Sequence, residues 1–366
     1  MKTSIFALMV VLLVFISGCN SGSSEYQRHN RSFLDTFDTM VQVVAYTKSE
    51  NEFSQYADLV HSRLQYLHKL YDIYNTYEGL NNIKTINDNA GIKPVEVEQE
   101  IIDLILFAKD WSEHSNGAVN IALGPVLQIW HDYREEAHYD PGKAELPPLE
   151  KLKAAAEHTN LNRGEVNPEE MTVYLPDPEM SLDVGAVAKG FALEIVAREV
   201  SDAGMSSGII SAGGNIRAVG DPEESERDHW KIGVQDPEAS IVGNTDRHLD
   251  VIYLSKGSVD TSGDYQRYYK INDELIHHLI DPQTLMPASH YRSVTVVAAD
   301  SGVSDFMSTS LFLIPYEESL AMAENHEELE ALWVMPDGEV RTTPGMEQML
   351  QSYGKSSENN QHLQYN

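Results

Sequence analysis

Three segments of the chain hold residue types suited to phosphate and proton chemistry. In DVGAVAKGFA, Asp183 to Ala192, an acid is followed by a run of small residues and one lysine. The pattern predicts a strand handing over to a helix from about Ala188, whose free N–H groups and positive dipole end favour an anion. Gly185, Ala186, Ala188 and Gly190 let backbone approach a bulky ligand. Lys189 is placed to neutralise a phosphate oxygen, and Asp183 to accept hydrogen bonds from a sugar or base edge. The same letters also suit tight helix packing with Lys189 running outward to solvent. The glycine spacing matches neither a Walker A loop nor a dinucleotide fingerprint.

In AADSGVSDFMST, Ala298 to Thr309, a helix starting near Ser304 puts Asp305 and Thr309 at i and i+4, one turn apart on one face. A carboxylate with a hydroxyl is an oxygen set for Mg²⁺, which takes the rest of its shell from water and substrate phosphates. The alternative is a helix-start acid and a threonine bonded to its own backbone. The third segment is SVDTSGDYQRYY, Ser258 to Tyr269, followed by HHLIDPQTLMP, His277 to Pro287. His278, on a short strand ending at Asp281-Pro282, has the chemistry of a general base or a phosphate ligand, against the alternative of a structural histidine. A Ser/His/Asp hydrolase triad is a competing use of these residue types. Zinc is disfavoured by the absence of HExxH and by a single cysteine.

The elements that must position these groups follow from periodicity and capping. Thr39–Tyr46 reads as a strand, Asn51–Tyr71 as a long amphipathic helix, and Tyr74–Leu80 as a loop. Glu98–His114 reads as a second helix closed by the glycine of SNGAVN, and Leu149–His158 as a third after Pro147-Pro148. Strands are predicted at Thr172–Leu175, Gly208–Ser211, His229–Val234, Val251–Leu254, Leu275–Ile280 and Ser293–Ala298. No linker divides the middle of the chain. The fold class is therefore α+β, with a mixed, largely antiparallel sheet flanked by helices in one compact body.

At the N-terminus, Lys2, the apolar run Ile5–Ile16 and Ile16-Ser17-Gly18-Cys19 read as a lipoprotein signal, residues 1–18, cleaved before a lipidated Cys19. The run is shorter than the roughly 20 residues of a membrane span. Residues 19–32 read as a polar tether, 33–345 as the folded domain and 346–366 as a disordered tail rich in Gln, Asn, Ser and Glu. Cys19 is the one cysteine, so no internal disulfide supports the fold. With 57 acidic and 26 basic residues the formal charge is −31, which argues against nucleic acid or an anionic membrane surface as a direct partner. An anionic ligand then needs local help from a cation, a lysine or helix N-termini.

Taken in order, FDTM (Phe37 to Met40), Tyr77 with Asn87 downstream, NGAVNIALGPVLQIW (Asn116 to Trp130), DVGAVAKGFA, SAGGNIRAVG (Ser211 to Gly220), TSGDYQRYY, HHLIDP and D-x-x-x-T resemble the FAD:protein FMN transferases, the ApbE-type flavin transferases, over roughly residues 33 to 340. The resemblance implies an enzyme, lipid-anchored by a palmitate-type modification and facing the periplasm or cell exterior, that splits FAD at its diphosphate. FMN passes to a Thr or Ser of an acceptor flavoprotein in an envelope electron-transfer complex, and AMP leaves. It implies Mg²⁺ held by the Ala186 carbonyl, Asp305 and Thr309. FAD would contact Met40, Tyr77, Ala118, Val119, Asn120, Asp183, Lys189 and Ile276, with Tyr77 stacking on the flavin or adenine ring. His278 is the residue that would activate the acceptor hydroxyl. A homodimer is compatible with this reading.

The chain departs from the family pattern at three places. Asn81-Asn82 stands where Ser-Glu is usual, Val119-Asn120 where Phe-Asp is usual, and Leu285 where glycine is usual. None of these touches the implied metal set or Lys189. The competing functions are an FAD pyrophosphatase using the same site, with water as acceptor, and a non-catalytic flavin-binding lipoprotein. A solute-binding lipoprotein is disfavoured by the lack of two βαβ-rich lobes.

Overall fold

The computed structural model describes residues 25–223, 228–241, 247–272 and 274–355. Cys19, the signal segment and most of the expected tail lie outside the described residues. An eight-stranded sheet forms the centre, in the order Gln27–Thr36, Thr39–Thr47, Gly208–Ala212, Asn215–Val219, Gly257–Gly263, Ser293–Ala298, Glu330–Val334 and Val340–Thr342. Each neighbouring pair in it is antiparallel. The strands alternate their faces, so a single strand feeds two cores.

One face of the sheet packs on the helices Glu50–Tyr71, Gln99–His114, Ala188–Asp202 and Ser301–Leu313 through a large apolar core that includes Leu64, Leu67, Phe306, Phe312 and Trp333. Each such fully buried side chain contributes about 1.5–3 kcal/mol by leaving water. The other face packs on the hairpin Trp230–Gln235/His248–Leu254 through Val259, Val297, Leu332 and Val334. A third, smaller core joins the helices Gly124–Tyr139 and Leu149–Ala156 to the hairpin Tyr268–Ile271/Glu274–His277. The helix Gly124–Tyr139 was not anticipated, although Pro125 in its first turn is a start signal.

Four expectations need correction. The tether assigned to residues 19–32 overlaps a strand from Gln27, whose alternate residues His29, Arg31 and Phe33 face the 50–71 helix. These side chains are mostly polar, so the alternation carries no hydrophobic signal. The tail assigned from residue 346 begins inside the fold: Met346 and Leu350 are buried in the second core. The late helix starts at Ser301, because the Asp300 carboxylate accepts from the N–H groups of Gly302 and Val303. The strand expected through Ile280 stops at His277, the last residue paired with its partner strand at Tyr268, and beyond it Leu279 N–H is taken by the His277 ring while Ile280 bridges Pro287.

Candidate active site

A cavity of about 590 Å³ opens where the start of the 188–202 helix, the middle of the 301–313 helix and the Gly124–Tyr139 helix converge beside two hairpin tips. The first tip, Phe37-Asp38, has both residues at positive φ, 52° and 50°, as a two-residue reverse turn requires. The second is Gly213-Gly214, where a Cβ on Gly213 would lie 2.2 Å from Thr39 Oγ1. Glycine there lets the two tips lie side by side at the cavity wall.

The 183–192 segment turns as its small residues allow. The Asp183 carboxylate accepts from Gly185 N–H at 2.9 Å, and Asp183 N–H donates to the Ile121 carbonyl at 2.7 Å. Burial raises the Asp183 carboxyl above its ordinary range, with the Gly185 hydrogen bond opposing. The helix that follows crosses the 301–313 helix at Gly190, where a Cβ would meet the Ser301 carbonyl oxygen at 2.1 Å. Ser301 Oγ donates to the Gly190 carbonyl at 2.6 Å, and Gly190 N–H donates to Asp305 Oδ2 at 2.8 Å. Lys189 Nζ lies 3.7 Å from Asp305 Oδ1. Lys189 therefore faces the cavity and does not run outward.

Beneath Asp305 lies a polar seam. Strand alternation turns Ser258, Asp260 and Ser262 toward the 301–313 helix. There Ser258 pairs with Ser304 at 2.7 Å, Ser304 Oγ donates to Asp260 Oδ2, and Ser262 reaches Ser308 at 2.9 Å and Thr309 at 3.0 Å. Asp260 is fully buried, and its Oδ1 has no hydrogen-bond partner. Burial, and next the Asp305 carboxylate, push its carboxyl well above the ordinary range. Asp305, Thr309 and Ala186 all line the cavity, and their oxygens form a donor set that a hard divalent cation fits.

The two adjacent histidines have different surroundings. His277 Nε2 donates to the Ala288 carbonyl at 2.7 Å and its Nδ1 accepts from Leu279 N–H at 3.2 Å, so it is a structural residue. His278 lines the cavity with a buried Nδ1 that has no partner. Burial, then the positive charge of Arg267 and smaller effects of the neighbouring His277, Arg134 and Lys189, push its pKa down to about 3. In the ligand-free cavity His278 is a neutral imidazole surrounded by cations.

Ala118, Val119, Asn120, Asp183, Ala186, Lys189, Ile276, His278, Asp305 and Thr309 all line this cavity; Met40 and Tyr77 do not. Met40 is 56% exposed on the hairpin flank, and Tyr77 turns away to donate to Asp72 Oδ2 at 2.7 Å. Asn82 and Asn120, two departures from the family pattern, are helix caps: Asn82 Oδ1 accepts from Thr85 N–H at 3.0 Å and Asn120 Oδ1 from Ala122 N–H at 2.8 Å. Sequence reasoning missed Tyr74, His131, Arg134 and Arg267, which also line the cavity. Arg267 lay inside the TSGDYQRYY block and was the most findable of them. Gly204 to Gly208 spells G-x-S-x-G with Ser206 at its centre, but it runs from a helix into a strand, the reverse of the strand-to-helix turn that makes a nucleophile elbow.

Comparison with known proteins gives one consistent family. A model of the ApbE family matches residues 37–333. The chain is 28% identical over 355 residues to the FAD:protein FMN transferase of Treponema pallidum, covering 93% of each chain. It is 26% identical over 253 residues to the FAD:protein FMN transferase of Escherichia coli K12, covering 68% of each. In fold it is similar to the ApbE protein of Thermotoga maritima, with a TM-score of 0.77 and 24% identity, covering 90% of this chain and 100% of that one. The flavin transferase ApbE of Vibrio cholerae is also similar in fold, at 0.72 and 20%, covering 88% and 99%.

Proposed function

The chain belongs to the ApbE family, and on that premise we propose that it is an FAD:protein FMN transferase that uses the cavity around Lys189, Asp305 and His278. The observation that carries this reading is the convergence of one lysine, a cation-compatible oxygen set and an unpartnered imidazole in a single cavity. FAD is the substrate and Mg²⁺ the cofactor. The Ala186 carbonyl, Asp305 and Thr309 hold the metal, which when bound offsets negative charge on the diphosphate.

Lys189 orients the diphosphate and neutralises one of its oxygens in an otherwise acidic protein. The acceptor Thr or Ser oxygen attacks the phosphorus on the FMN side. A new P–O bond forms there, the bond to the bridging oxygen breaks, and that oxygen leaves with the electron pair on AMP. The hydroxyl proton passes to His278. Arrival of the anionic diphosphate counters the cations around His278 and raises its pKa toward the range of a working base, so the base is made competent by the substrate. Cys19 lipidation would hold the enzyme at the membrane, facing the periplasm or cell exterior, where flavoproteins of envelope electron-transfer complexes are the acceptors.

The test uses the chain lacking residues 1–19 with FAD and Mg²⁺, measuring AMP release with and without an envelope flavoprotein domain. Release that depends on the acceptor and disappears with EDTA supports the transferase. Equal AMP and free FMN without any acceptor would mark a pyrophosphatase instead. A full-length Cys19→Ala chain that stays in the membrane fraction would overturn the anchor.

A further inference from the structure

The loop after the 50–71 helix is held by one carboxylate. Asp72 Oδ1 accepts from the N–H groups of Tyr74 at 2.7 Å and Asn75 at 3.0 Å, while Oδ2 accepts from Asn75 Nδ2 at 3.1 Å and the Tyr77 hydroxyl at 2.7 Å. Asn82 Nδ2 adds a bond to the Asn75 carbonyl at 2.8 Å. The loop thus presents Tyr74, not Tyr77, to the cavity, and Tyr74 remains 49% exposed there. An aromatic ring left half open on a pinned loop, beside a cavity, is an unused face.

The Tyr74 ring is backed on the protein side. It lies 5.1 Å from the His131 ring at an interplanar angle of 34°, and Arg134 Nη2 donates to His131 Nδ1 at 2.8 Å. This tyrosine, histidine and arginine run from the loop onto the Gly124–Tyr139 helix, and Arg267 also lines the cavity. A planar ring next to fixed positive charge suits a nucleotide, whose base stacks while its phosphate is neutralised.

We infer that Tyr74, backed by His131 and Arg134, is a stacking surface for one of the two heteroaromatic rings of the bound dinucleotide. The inference rests on the reading of FAD as substrate and adds a binding residue that the motif comparison does not supply. Because the tyrosine hydroxyl is not needed for stacking, Tyr74→Phe should keep the function and Tyr74→Leu should lose it.

Binding of FAD, FMN and AMP would each be titrated to the chain lacking residues 1–19 and to both variants, following flavin fluorescence for the first two and calorimetry for AMP, with thermal melts as a folding control. Tyr74→Leu is expected to weaken FAD binding about 10-fold or more, with Tyr74→Phe close to wild type. If the isoalloxazine is the stacked ring, FMN weakens in parallel and quenching of the bound flavin is lost. If it is adenine, AMP weakens and FMN does not. Wild-type affinities for all three ligands in a folded Tyr74→Leu chain would overturn this inference alone. A wild-type chain that binds no FAD would overturn it together with the proposed function.

Discussion

The backbone N–H of Gly190 donates to Asp305 Oδ2 at 2.8 Å, joining the two segments of the chain with the strongest chemical character. The bond is possible because Gly190 has no side chain: the two helices cross so closely that a Cβ would fall 2.1 Å from the Ser301 carbonyl oxygen and 2.4 Å from Asp305 Cβ. The carboxylate is oriented by the helix whose first turn carries Lys189.

Gly190→Ala must therefore push the helices apart. Intrinsic helix propensity favours alanine by about 1 kcal/mol, yet overpacking against backbone costs about 1–3 kcal/mol or more. A net loss of stability is expected in denaturant melts, with weaker Mg²⁺ binding by calorimetry. A variant as stable as wild type would show that the crossing is looser than described.

Asp305→Asn separates position from charge. The amide oxygen can still accept from Gly190, so the melting temperature should change little while Mg²⁺ affinity falls at least about 10-fold and AMP release falls about 10²-fold or more. Unchanged Mg²⁺ affinity would remove Asp305 from the metal set.

Glu194 gives a pH-dependent stability. It is buried and accepts from Arg217 at 2.7 Å, Arg198 at 2.9 Å and Ser301 N–H at 3.0 Å. Burial alone would raise its carboxyl, but the Arg217 bond and charge prevail and hold it below 4.5. Its contribution is thus present above the unfolded value and lost as pH falls through the lowered folded value. Glu194→Gln should cost about 1.5–3 kcal/mol at pH 7 by removing the charge that Arg217 pairs with, and should flatten the acid limb of stability against pH.

His278 is expected to stay neutral far below the ordinary histidine value of 6.5, titrating at about 3 in the ligand-free chain. The folded state then binds fewer protons than the unfolded state between these values, so this residue makes stability rise with pH across that window. Long-range ¹H–¹⁵N NMR would read the titration directly, with saturating FAD expected to move it upward. A titration near 6.5 without ligand would contradict the described environment.

Leu285 occupies a place where glycine is usual, at φ 62°, with its side chain buried in the third core and its carbonyl accepting from Trp130 Nε1 at 3.0 Å. The left-handed backbone costs about 1–2 kcal/mol, whereas losing the buried side chain costs about 2–5. Leu285→Gly recovers the first loss and Leu285→Ala does not. Both should destabilise the fold, with alanine the worse of the two, as urea midpoints would report.

Much of this was legible where residue type and spacing speak together. The i, i+4 spacing of Asp305 and Thr309 and the small-residue run before Lys189 were readable as local geometry, whereas His278 was singled out only by the resemblance to the family's H-x-x-D-P block, and its surroundings come from residues distant in the chain. The long 50–71 helix and the Ser293–Ala298 strand were equally plain from periodicity. What failed depends on contacts distant in the chain. The strand from Gln27 hides behind polar side chains that pair with the 50–71 helix, and Met346 and Leu350 are core residues only because the sheet has a second face. Tyr74 and Tyr77 sit three apart in one loop, and only the Asp72 hydrogen bonds decide which ring meets the cavity. Asp260 carried no signal of its own in the sequence, and only strand alternation places it beneath Asp305.

The most direct measurement is the intact mass of an envelope flavoprotein domain incubated with the chain, FAD and Mg²⁺. A gain of FMN minus water on one Thr or Ser is expected, with one AMP released per modified acceptor, and neither with His278→Ala or Asp305→Ala. An acceptor of unchanged mass, alongside equal amounts of AMP and free FMN, would contradict it.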